Sequence, residues 1–128
     1  MLKPFLLVLC LSLTACGSHL PPPVPGGLPP AAQQAIIILT TVDAAAVALN
    51  IVQVCDPQPC HALVSTANLA IVRSAVTDAV TIIETTPAGW KATTGAALDR
   101  ISLRLDAAGK TQLAGYLEAA RSLLAVIP

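Results

Sequence analysis

AAQQAIIILTTVDAAAVALNIVQV, residues 31–54, is the stretch on which the fold turns. It contains neither Gly nor Pro and is rich in Ala, Val and Ile, so it reads as one helix. Gln33, Thr40, Asp43 and Asn50 are spaced by seven, three and seven and fall on one stripe. Gln34 and Thr41 flank that stripe on one side and Gln53 on the other. The rest of the cylinder is apolar or small. Such a helix belongs in a core or in a membrane. Insertion would place Asp43 near mid-depth, at a cost of about 2.5–3.5 kcal/mol. The expectation is therefore a central bundle helix with its polar stripe toward water. The rival is a membrane-associated or self-associating surface.

Cys55-Asp56-Pro57-Gln58-Pro59-Cys60 follows as a turn. Pro57 disfavours helical geometry at Asp56 and ends the first helix. Pro59 suits the first turn of a second helix, residues 61–85, where its missing N–H costs nothing. In that helix Leu69, Val72, Val76, Ala79 and Ile83 recur at three and four, a coiled-coil seam. Arg73 and Thr77 read as solvated surface. Thr86-Pro87-Ala88-Gly89 is a second turn. Trp90 is the only tryptophan and is expected to cap a helix junction. Residues 94–108 form a third helix with Leu98, Ile101, Leu105 and Ala108 on one face. Gly109 suggests its stop and Thr111 a new N-cap. The apolar phase nevertheless runs through Leu105, Gly109, Leu113, Tyr116 and Ala120, so one long helix is the alternative. Residues 112–127 are the clearest amphipathic segment: Leu113, Tyr116, Leu117, Ala120, Leu124 and Ile127 share a face. The expected fold is all-α, a small antiparallel bundle of three or four helices over residues 31–128.

Composition narrows the function. Hydrophobic residues make up 55% of the chain and aromatic residues 2%, and the formal net charge is zero. There is no basic stripe for phosphates and almost no aromatic surface for stacking bases, so nucleic acid is not expected as a partner. Sugar binding on aromatic platforms is disfavoured for the same reason.

Ahead of the bundle, residues 17–30 hold Pro21-Pro22-Pro23, Pro25, Gly26-Gly27 and Pro29-Pro30. This run should be extended, a tether of about 40 Å at ~3.1 Å per residue. It also offers a docking site for a partner that recognises polyproline. At the front, Lys3 gives a positive start and residues 5–13 an apolar run. That run is too short to span a membrane and of the length of a secretory signal. It ends in Leu13-Thr14-Ala15-Cys16, which resembles the lipobox of bacterial lipoproteins. The resemblance covers about the first eighteen residues. It implies a signal peptide over residues 1–15, cleavage before Cys16, a diacylglyceryl thioether on Cys16 and an acylated amino group. Two or three acyl chains hold firmly where one is marginal. Gly17 stands where the family places Asp to retain a protein in the inner membrane. The implied location is thus the outer membrane, facing the periplasm. A lipobox followed by proline-rich sequence also resembles phage outer-membrane spanin subunits, by composition alone. Loss of Lys3 with the leader leaves a net charge of about −1.

Of four cysteines, Cys10 lies in the leader and Cys16 carries lipid in this reading. Cys55 and Cys60 remain as an even pair in an oxidising compartment, and a disulfide between them is expected. Two rivals exist. Cys55, Cys60 and His61 could begin a metal site, although His19 is the only other histidine. The order C-x4-C-H also resembles a rare spacing of c-type haem attachment, which would make His61 an axial ligand. Against it stand the absence of any Met after Met1, the few aromatics and the prolines in the loop. No metal and no cofactor other than the lipid are expected.

No catalytic constellation emerges. Both histidines sit in the linker or a turn, and no pair of carboxylates stands out from surface spacing. Gly109-Lys110-Thr111 ends like a phosphate loop, but Arg104 occupies the position of its required first Gly. The chain thus reads as a non-enzymatic, lipid-tethered envelope protein that acts through a protein partner or self-association. A phage lysis or envelope lipoprotein of spanin type is one alternative. A small-ligand carrier is another, with an apolar pocket lined by Val47, Leu69 and Leu117.

Overall fold

The computed structural model describes residues 27–56 and 58–128. The expected signal peptide (residues 1–15), Cys16 and most of the proline-rich linker lie outside the described residues. The rest is an all-α antiparallel four-helix bundle: α1 (Pro30–Ile51), α2 (Thr66–Thr85), α3 (Trp90–Arg104) and α4 (Ala107–Val126). A short antiparallel ladder, β1 (Gln53–Val54) with β2 (His61–Ala62), joins α1 to α2.

α1 starts at Pro30, whose fixed φ and missing N–H suit the first helical position. Its buried residues include Ala32, Ala35, Leu39, Val42 and Ala46, spaced three, four, three and four. Gln33, Asp43 and Asn50 are only half-exposed, so the polar stripe does not simply face water as expected. Asp43 reaches toward α2, and Asn50 Nδ2 donates to the carbonyl of Val64 at 2.9 Å. The most exposed line of α1 is instead Gln34, Ile37, Thr41, Ala44, Ala48 and Ile51. Alanine fits either side of a helix, and the one strong polar residue is claimed by a neighbour.

α1 ends at Ile51, three residues short of expectation, because the chain turns extended at Val52. The N–H groups of Leu63 and Val64 return to bond the carbonyls of Val52 and Leu49 at 3.1 and 3.2 Å. The β-branched run through Val54 forms a ladder rung rather than another helical turn. α2 correspondingly starts at Thr66 and not near residue 61. Ser65 is its N-cap and accepts from the N–H of Asn68 at 3.1 Å. Its seam is as expected: Val72, Val76, Ala79 and Ile83 are buried, and Leu69 packs against them.

A single 3-10 turn, Pro87–Gly89, leads into α3 at Trp90. Trp90 is half-buried against the core at that junction. α3 ends at Arg104, so Ala108 is not on its apolar face but is exposed in the first turn of α4. Leu98, Ile101 and Leu105 are buried as expected. On α4, Leu113, Leu117, Ala120 and Leu124 are buried, as is Ile127 just beyond it, whereas Tyr116 is 46% exposed.

α1 and α2 are both long and apolar enough to cross a membrane, with mean hydropathy 1.7 and 1.3. In the bundle they pack side by side and bury their seams on α3 and α4. The up-and-down order puts Pro30, the Pro87–Gly89 turn and the end of α4 at one end, the tether end. The β-ladder and the α3–α4 junction share the other, the distal end.

Candidate functional site

Two features of the surface stand apart from the packing of the core: the distal tip and the groove between α1 and α4.

The distal tip holds Cys55 and Cys60, which are joined as a disulfide across a sequence separation of 5. The bond closes the loop above the β1–β2 ladder and ties the end of α1 to the strand leading to α2. Both cysteines and His61 are exposed. The imidazole Nδ1 of His61 lies 3.5 Å from the carbonyl oxygen of Pro59. Among the described residues no three His, Cys, Asp or Glu side chains gather at one point.

Beside the tip, the α3–α4 junction is held by a polar cluster that sequence reasoning missed. Asp106, not Thr111, is the N-cap of α4, and Oδ1 accepts from the N–H of Gly109 at 2.8 Å. Asn68, 2% exposed on α2, donates from Nδ2 to the same oxygen at 2.9 Å. Its Oδ1 accepts from the N–H of Asp106 at 3.3 Å. These bonds to the ionised carboxylate, that of Gly109 first and Asn68 next, hold Asp106 below the usual carboxylate range. Gly109 is no helix stop; it is buried within α4, where a Cβ would meet Asn68 Nδ2 at 2.5 Å. Asp106-Ala107-Ala108-Gly109 carried a usable signal, an Asx cap bonding the third residue on. Nothing local pointed to Asn68, 38 residues away.

Around the bundle, three of the four seams between neighbouring helices each carry an Arg–Asp pair. Arg73 Nε lies 3.4 Å from Asp43 Oδ1 across α1–α2, close but not aligned for a hydrogen bond. Arg100 donates to Asp78 at 2.8 Å and to Ser74 at 3.3 Å across α2–α3. Arg121 donates to Asp99 at 2.6 Å and to Ser102 at 3.1 Å across α3–α4.

The fourth seam, α1–α4, is different. Its walls are Gln34, Ile37, Thr41, Tyr116, Ala119, Leu123 and Val126 over Ile38, Val42 and Ala120, with Ile127 and Pro128 just beyond the end of α4, and none of these side chains is charged. Ile37 is 50% exposed, Leu123 54% and Val126 74%. A recess of about 130 Å³ opens midway along it, with a wider one of about 410 Å³ toward the tether end. The hydroxyl of Thr41 is spent on the carbonyl of Ile37 at 2.7 Å, so even this polar residue offers mainly its methyl group.

Further recesses lie over α2–α3 and α1–α2. None of these four is lined by Val47, Leu69 or Leu117. Leu117 is buried in the core, and the other two are half-buried.

The described residues bring Cys55 and Cys60 together, and Cys16 lies outside them. No known protein family, curated protein or solved structure matches the chain.

Proposed function

We propose that this chain is a non-enzymatic lipoprotein of the bacterial envelope. Acyl chains on Cys16 hold it to the membrane, and its helical body acts through contacts with other protein surfaces. The observation that carries the reading is Leu13-Thr14-Ala15-Cys16 standing directly after an apolar stretch that follows Lys3. The outer membrane, periplasmic side, is the location proposed, on Gly17. Two features agree with a tethered helical body. The linker enters the bundle at Pro30, so the disulfide tip points away from the anchored end. Each Arg–Asp pair spans neighbouring helices, so these charges serve to stitch the body together.

The test is metabolic labelling with an alkyne analogue of palmitate. The full chain should take up label, and Cys16→Ala should abolish it. A wild-type chain that stays unlabelled, or a Cys16→Ala chain that keeps the label, contradicts the anchor.

A further inference from the structure

We propose that the α1–α4 seam is the surface through which two copies of this chain associate. The inference rests on the reading above, that the body works by protein contacts, and names the partner as a second copy.

Four observations support that occupant. First, among the described residues this seam alone of the four lacks an Arg–Asp pair, and its walls carry no charged side chain. A copy of the same seam can approach it with no like-charged side chains opposed. Second, the patch holds both halves of a fit. Ile37 and Leu123 stand proud, and between them lies a recess sized for one aliphatic side chain. A two-fold axis through the seam would set each copy's ridge into the other's recess, the geometry of an isologous contact.

Third, the area reaches the lower bound of specific interfaces. α1 and α4 lie side by side for about 30 Å and are together about 20 Å across. That is roughly 600 Å² of projected face per copy, against about 800 Å² per partner in a standard interface. Small residues along it, Ala44, Ala48 and Ala119, allow close backbone approach. Fourth, the flanks do not suit a bilayer. Surface-lying apolar faces are edged by Lys and Arg. α1 has neither, and of the two cations on α4 Arg121 is committed to Asp99, which leaves Lys110 alone near the distal end.

The experiment is sedimentation equilibrium of the full chain in density-matched non-ionic detergent. Three proteins are compared: wild type, Leu123→Glu on the seam, and Ile82→Glu on the α2–α3 side, where Ile82 is 49% exposed. Wild type and Ile82→Glu should sediment as two chains. Leu123→Glu should weaken association by on the order of 100-fold, since the change enters the interface twice. Ala119→Glu repeats the test at a second exposed position, and circular dichroism checks that each variant keeps its helices. A one-chain wild type, a dimer indifferent to Leu123→Glu and Ala119→Glu, or equal loss with Ile82→Glu overturns the proposal. Labelling of Cys16 is read separately. A dimer without lipid contradicts only the anchor, and lipid without a dimer contradicts only this surface.

Discussion

Three seams of this bundle are stitched by Arg–Asp pairs, and the fourth is bare. The contrast is instructive because α1 borders both kinds. Toward α2 it presents Asp43 to Arg73; toward α4 it presents Ile37 and Thr41 to Tyr116 and Leu123. Polarity in this molecule is therefore allotted seam by seam rather than helix by helix. A helix that looks apolar nearly all round, such as α1, buries one side in the core and leaves a second side uncovered. The distal end adds a related contrast. The α1–α2 connection is closed by a covalent bond and the α3–α4 connection by the Asn68–Asp106 cluster, while the tether end has a 3-10 turn and apolar packing.

The largest expected effect separates the core from the bare seam on a single helix. Leu39 is fully buried and Ile37 half-exposed, two residues apart. Leu39→Ala should lower stability to urea by about 3 kcal/mol, through lost burial and a residual cavity. Ile37→Ala should cost the single chain under about 1 kcal/mol. Equal losses would mean that the seam is covered within the monomer.

Next come the two distal clips. Cys55→Ser should cost about 2 kcal/mol by the loop-entropy estimate, whose mechanism is model-dependent, and the loss should match that of chemical reduction. For Gly109→Ala two effects oppose. Alanine gains about 1 kcal/mol of helix propensity over glycine. The added Cβ, however, strikes an Asn68 amide held in place by Asp106, and overpacking costs about 1–3 kcal/mol. A net loss of about 1 kcal/mol is expected in thermal melts. Repeating Gly109→Ala in an Asn68→Ala background should reverse the sign, whereas a loss of the same size in both would absolve Asn68.

The Asp106 cap also sets a pH dependence. Its carboxyl titrates lower in the folded chain than in the unfolded one, so its contribution is present above the unfolded value of about 3.9. That contribution fades as pH falls through the lower folded value. Asp106→Asn should flatten the acid limb of the stability curve below about pH 4 and leave neutral behaviour free of this titration. An unchanged acid limb would contradict the assignment.

The smallest effect belongs to the stitched seams. Arg121→Ala removes an exposed pair and should cost at most about 1 kcal/mol, shrinking further in high salt. The seams thus differ less in strength than in what they can receive.

Much of this architecture was legible in the residues. The α2 seam from Leu69 to Ile83 was, since a strict three-four spacing of large aliphatics leaves no other face to bury. So was most of the α4 face, with Tyr116 as the exception because its position falls on the open seam. The exposed line of α1 was not legible, because Ala and internally bonded Thr give no contrast between faces. The sequence points to an α3–α4 break at Gly109, the residue type that usually ends a helix. It lies instead at Leu105, and Gly109 is there because Asn68 comes too close for any side chain. The β1–β2 ladder was hidden in a run that reads equally well as helix. The Cys55–Cys60 pair was readable from cysteine arithmetic, whereas the uncharged seam emerged only once helix neighbours were known.

In the proposed lipoprotein a lipid anchor at one end is matched by a disulfide at the other, and one measurement reads both. Intact-mass analysis of protein extracted from its native membrane, before and after reduction, should give a chain beginning at Cys16, carrying two or three acyl groups, that gains two hydrogens on reduction. A chain that retains residues 1–15, or a Cys16 that carries no lipid, would contradict it.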